Sequence, residues 1–211
     1  MLFLRRLFSA ALLAGTFLIS GSPALAGSQS PEAAFSARMA DLHGLDAGFV
    51  QEVYDEDGLE LERSEGRFKL NSDTSSFRID TVKPEESQLV CNGRDVHYYE
   101  KSVDQVTIYS MEELRKSSPF WIVLDRKSRD FSQFTIESPS RDVFLVAERD
   151  RKDGSVYRLA FDEEGLSTVE SRDPGGQRAV YKLTGRKFYR TVPSVEFVFL
   201  MPEGVTVDDR R

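Results

Sequence analysis

Side chains that could move protons, attack carbon or hold a metal are scarce in this chain. There are two histidines, His43 beside a helix end and His97 within a strand pattern. Neither has a histidine, cysteine or carboxylate neighbour at ligand spacing, so no metal site is expected. The single cysteine, Cys91, stands next to an Asn-Gly turn and could be drawn as a nucleophile with His97. No flanking feature supports that pairing, and a quiet strand thiol is the expectation. Asp55-Glu56-Asp57-Gly58 concentrates acids but lacks the spaced ligands of a calcium loop, and reads as a solvated hairpin turn. The remaining carboxylates are spread over turns and outward strand faces, so no pair stands out for acid–base work. A Gly-rich phosphate loop and a nucleophile elbow are both missing. No catalytic residue, cofactor or metal is expected, and the chain does not read as an enzyme.

What the chain has instead is 15 phenylalanines, many at period-two spacing. The alternation puts Phe68 with Leu70, Phe77 with Ile79, and Val96 with Tyr98, each pair on one face of a strand. Ser30-Pro31-Glu32 opens a helix, with Ser as N-cap and Pro at the first helical position. Phe35, Met39 and Leu42 then recur at helical spacing, and the helix should end near Gly44. Ser110-Met111-Glu112-Glu113 is a capping box that starts a second helical region. Ser118-Pro119 restarts it, and Phe120 to Leu124 are apolar all round. Such a run must be buried, against the sheet or against a ligand.

The other segments read as strands divided by turns at Asp153-Gly154, Glu164-Gly165 and Gly175-Gly176. Val195-Glu196-Phe197-Val198-Phe199 reads as the last strand. About ten or eleven antiparallel strands with two helical regions result: a large curved sheet rather than a doubly wound fold. One curved sheet with few helices cannot easily cover so much apolar surface, which suggests a cavity. Its candidate lining is Phe35, Met39, Phe49, Phe68, Leu70, Phe77, Ile79, Val90, Val96 and Tyr98. The candidate cover is Leu114, Pro119, Phe120, Trp121, Ile122 and Val123.

The chain opens with Arg5-Arg6, an apolar run from Leu7 to Ile19, and Ala24-Leu25-Ala26. This is the pattern of a secretory signal peptide cleaved after Ala26, too short for a comfortable membrane span. Losing residues 1–26 removes two arginines and no acid, taking the formal net charge from −7 to −9. Residues 27–211 then form one exported, soluble domain. The acidic balance argues against a nucleic-acid partner. One cysteine allows no internal disulfide, so stability must come from packing.

In order and spacing, several segments together resemble the periplasmic outer-membrane lipoprotein carriers of the LolA family. They are Phe49-Val50-Gln51, Gly66-Arg67-Phe68, Phe77-Arg78-Ile79, Glu86 to Tyr99 around Asn92-Gly93, Ser118-Pro119-Phe120, and the C-terminal run Phe197 to Asp209. The resemblance covers essentially the whole mature chain. It implies a mainly β, α+β fold: an unclosed antiparallel barrel of about 11 strands with a helical lid over its concave face. By position, Phe77 and Ile79 would line the cavity and Pro119 to Val123 would be the lid.

The implied role is that of a monomeric periplasmic chaperone in a Gram-negative cell. It would take acylated lipoproteins from an inner-membrane ABC transporter to an outer-membrane receptor, without a cofactor. The alternative is a periplasmic lipid- or glycolipid-binding or sensor protein with the same fold. One departure stands out. The family often has a basic residue and a proline before the aromatic strand, the arginine holding the lid shut. Here the stretch is Asn71-Ser72-Asp73, and the outward parity expected of Arg67 and Arg78 counts against either as a substitute.

Overall fold

The computed structural model describes residues 29–113, 121–124, 131–149 and 154–211. The expected signal peptide, and Leu114, Pro119 and Phe120 of the expected cover, lie outside the described residues.

The first helix, α1 (Pro31–Ala40), is capped as its sequence requires: the Ser30 Oγ accepts a hydrogen bond from the Ala33 N–H at 3.2 Å, with Pro31 opening the helix. It stops short of Gly44, which already belongs to a strand. The strands are β1 (Gly44–Tyr54), β2 (Glu60–Asn71), β3 (Ser76–Lys83), β4 (Ser87–Asn92), β5 (Asp95–Glu100) and β6 (Gln105–Ser110), followed by β7 (Phe134–Ser140), β8 (Val143–Glu148), β9 (Val156–Asp162), β10 (Gly165–Arg172), β11 (Arg178–Tyr189) and β12 (Thr206–Asp209). A short helix, α2 (Trp121–Leu124), lies between β6 and β7. Before it, the Glu113 N–H donates to the Ser110 Oγ at 3.3 Å, as a capping box demands.

All twelve strands form one unclosed sheet, in the order β12-β6-β5-β4-β3-β2-β1-β11-β10-β9-β8-β7. The neighbouring pairs are antiparallel except β12 with β6, which run parallel. The last strand therefore lies later in the chain than the sequence pattern places it. Ser194–Phe197 is a 3-10 turn instead, introduced by Pro193, and it packs on the outer faces of β3 and β4. Phe197 is buried against the sheet, while Val195 stays exposed.

The turns follow local chemistry. The Asp55 carboxylate accepts from the Asp57 and Leu59 N–H groups, so this acid serves its own backbone. Gly93 has φ +89°, and a Cβ there would lie 2.4 Å from the Thr74 carbonyl oxygen, so glycine is required on both counts.

The two faces of the sheet differ. On the convex face, Glu52 is almost fully buried and receives hydrogen bonds from Tyr54, Arg63 and Lys182. The concave face carries the main hydrophobic core. Among the described residues no helix is long and apolar enough to cross a membrane.

Candidate functional site

Strand register sorts the concave side chains of β1 to β5 into rows running across the sheet. The first row is Leu45, Leu70, Phe77, Cys91 and Val96, each opposite the next. The second is Ala47, Phe68, Ile79, Leu89 and Tyr98. The third is Phe49, Gly66, Thr81, Ser87 and Glu100. Along the strands the surface thus passes from wholly apolar, through apolar with one phenol, to largely polar.

The apolar end is covered by the protein's own helices. Phe35, Met39, Phe49, Phe68, Leu70, Phe77 and Val96 join one buried cluster, and Ile122 and Val123 of α2 belong to it as well. The Phe35 ring lies 5.0 Å from that of Phe131 and 5.3 Å from that of Phe144 on β8, so α1 leans on the β7–β9 half of the sheet. Arg38 reinforces this by pairing with Asp142 and lying over the Phe161 ring. Ile79 packs at the edge of the cluster, and Tyr98 lines the open groove beyond it.

Val90 is the exception among the expected lining residues. It pairs with Arg78 and His97, one position out of step with Cys91. Alternation therefore places it on the convex face. There, the 3-10 turn packs on its strand, and Phe199 stacks 5.0 Å from His97.

Sequence reasoning missed the far wall of the concavity: Ile136, Phe144, Val146, Leu159 and Val169 belong to the same cluster. The period-two pattern of β7 to β10 was the available signal. It also missed Cys91 as a member of the first row. The Cys91 Sγ lies 3.1 Å from the Met111 Sδ, and burial pushes its thiol up to about 11.

Where the apolar rows end, an open groove of about 380 Å³ begins, floored by Ile79, Leu89, Tyr98 and Tyr181. Gln51 and Ser64 add polar groups, joined by a 2.9 Å bond from the Ser64 hydroxyl to the Gln51 Oε1.

The family model for "Outer membrane lipoprotein carrier protein LolA" matches residues 40–200. The chain belongs to the LolA family. Curated relatives include an outer-membrane lipoprotein carrier protein of Aliivibrio fischeri, 31% identical over 97% of this chain and 98% of that protein. Another, from Idiomarina loihiensis, is 28% identical over 95% of this chain and 98% of the relative. Among solved structures, an uncharacterized conserved protein from Thermus thermophilus shares the fold. Its TM-score is 0.53 at 14% identity, covering 86% of this chain and all of that one.

Within the LolA family frame, Arg67 and Arg78 both point outward as their parity requires. Arg67 makes a two-pronged pair with Asp46, and Arg78 bonds Asp80. Asn71-Ser72-Asp73 instead holds the base of α1. The buried Ser72 hydroxyl donates to the Leu42 and His43 carbonyls, and the Ser72 N–H donates to the His43 carbonyl at 2.9 Å. Asp73 meets the His43 ring at 3.1 Å. These contacts fix the junction between α1 and β1.

Proposed function

We propose that this protein carries lipoproteins across the periplasm, holding their acyl chains against the concave apolar rows. It would receive them from an inner-membrane ABC transporter and deliver them to an outer-membrane receptor. Residues 1–26 are proposed to be its export signal, and residues 27–211 the carrier domain. The names of the relatives support the lipoprotein cargo. The observation that carries the reading is the burial of Ile122 and Val123 in the same cluster as Phe68 and Phe77.

An acyl chain loses about 0.8 kcal/mol per methylene on leaving an apolar phase for water, so an acylated protein cannot cross an aqueous space alone. A carrier must shield the chains and still release them. A cavity filled by its own apolar helix meets both requirements, because binding exchanges one set of apolar contacts for another. The empty carrier keeps its cavity dry, and the net affinity stays moderate. No covalent step is needed, and the role is that of a chaperone rather than a catalyst.

The test is native mass spectrometry of the mature protein, expressed with and without a lipoprotein. A one-to-one complex that survives detergent-free purification is the expected result. A protein that is always empty and cannot take up an apolar fluorescent probe would remove the carrier role and leave the aromatics as core alone.

A further inference from the structure

The polar half of the concave face is not explained by shielding hydrocarbon. Past the second row, the groove is walled by neutral hydrogen-bonding groups and rimmed by Glu62, Glu85, Glu86 and Glu100. No lysine or arginine is among the described residues that line it. Lys101, next in the chain to Glu100 of the rim, is paired with Glu86 at 2.5 Å. An anionic head group entering this groove would therefore meet like charge and find no free counter-ion among the described residues that line it. Its exclusion would be strongest where the apolar walls lower the local dielectric.

The floor is built for a different visitor. Burial drives the Tyr181 hydroxyl far above its ordinary range, so it stays a neutral phenol; Gln51 bonds to it and Ser64 bonds to Gln51. Tyr98 is likewise shifted upward, by burial first and Glu100 second. Phenols and amides of this kind suit carbonyl oxygens and N–H groups. Ile79 and Leu89 lead from them directly into the buried cluster.

We infer that this groove seats the polar neck of the cargo and selects acyl chains attached through an ester or amide, with no anionic group beside the linkage. Free fatty acids and anionic phospholipids, which offer the same hydrocarbon, are rejected at the rim. The inference rests on the carrier reading above and assigns its specificity: the hydrocarbon is recognised by the apolar residues of the first two rows, and the linkage by Tyr98, Tyr181, Gln51 and Ser64 with the acidic rim.

The test is displacement of the uncharged probe N-phenyl-1-naphthylamine from the mature protein by monopalmitoylglycerol or by palmitate, each below its aggregation concentration. At low salt, monopalmitoylglycerol is expected to displace the probe at roughly tenfold lower concentration. The gap should shrink as salt screens the rim. A carboxylate is costly to desolvate in any apolar groove, so the deciding comparison is the double variant Glu62→Gln, Glu100→Gln. Both side chains reach solvent, so folding is preserved, and the gap is expected to narrow to about threefold. Equal displacement by both lipids, or a gap the double variant leaves unchanged, overturns the inference while the carrier role stands. Displacement by neither lipid overturns both.

Discussion

Leu70 on β2 and Phe77 on β3 stand directly opposite each other, and neither has any surface exposed to water. They sit at the centre of the first row, between Leu45 and Cys91. Replacing Phe77 by alanine removes a whole ring from a packed cluster, at a cost of about 3–5 kcal/mol in the empty protein. A bound acyl chain can refill part of that space, so the loss should be smaller in the loaded protein. Urea unfolding with and without a bound monoacylglycerol measures both. An equal loss in the two states would place Phe77 in the static core and not in the cavity wall.

Gly66 is the point where the third row is thinnest. A Cβ there would lie 2.1 Å from the Asp80 carbonyl oxygen and 2.7 Å from the Phe49 ring. The first contact is with backbone and cannot be relieved by a rotamer change. Gly66→Ala is expected to destabilise by about 1–3 kcal/mol through overpacking, read as a lowered urea midpoint with an unchanged slope. A neutral result would mean that β2 and β3 separate there without cost.

These two positions also show what the sequence could and could not convey. Phe68, Leu70, Phe77 and Ile79 alternate with charged residues, so their common face is readable from spacing. Strand β4 has three apolar residues in succession, Leu89, Val90 and Cys91. Alternation is silent there, and only the pairing of Cys91 with Phe77 assigns the faces. Spacing alone therefore groups Val90 with the cavity and omits Cys91. Val195 to Phe199 has strand composition, but Ser194–Phe197 forms a turn that packs on β3 and β4 and buries Phe197. The parallel pairing of β12 with β6 joins segments about a hundred residues apart, which no local pattern encodes.

Ser72 is buried and donates to the Leu42 and His43 carbonyls. Ser72→Ala leaves buried oxygens with one donor fewer, at a cost of about 1–3 kcal/mol. The loss falls where α1 joins β1, so it should appear locally. Hydrogen exchange is expected to quicken in Met39 to Leu45 more than in β9 or β10. Uniform quickening across the sheet would instead assign Ser72 a general packing role.

Glu52 links stability to pH. Its carboxyl is lowered from 4.5 to about 2, first by the Lys182 hydrogen bond and then by that of Tyr54, with Arg63 contributing. A carboxyl depressed in the folded state stabilises the fold above its unfolded value. That contribution fades as the pH falls from about 4.5 towards 2. Wild type should therefore exceed Glu52→Gln in stability at pH 6, with the difference shrinking steadily below pH 4.5. Chemical denaturation across that range checks it. A difference independent of pH would show that the side chain's shape, and not its charge, is what β1 requires.

Cys91 offers a direct reading of the cavity because its sulfur belongs to the first row. Burial raises its thiol from 9.0 to about 11, which reduces the reactive thiolate roughly a hundredfold at neutral pH. Its surroundings also keep reagents out. An alkylating reagent should label the folded protein very slowly, and labelling should accelerate when the helical cover is loosened. Ser72→Ala acts on the base of that cover and leaves the lining of the cavity intact. It is expected to raise the labelling rate at denaturant concentrations far below the unfolding midpoint, as mass spectrometry of the intact protein can follow. If labelling rises only with global unfolding, α1 does not loosen separately from the sheet, and the Ser72 junction does not control access to the first row.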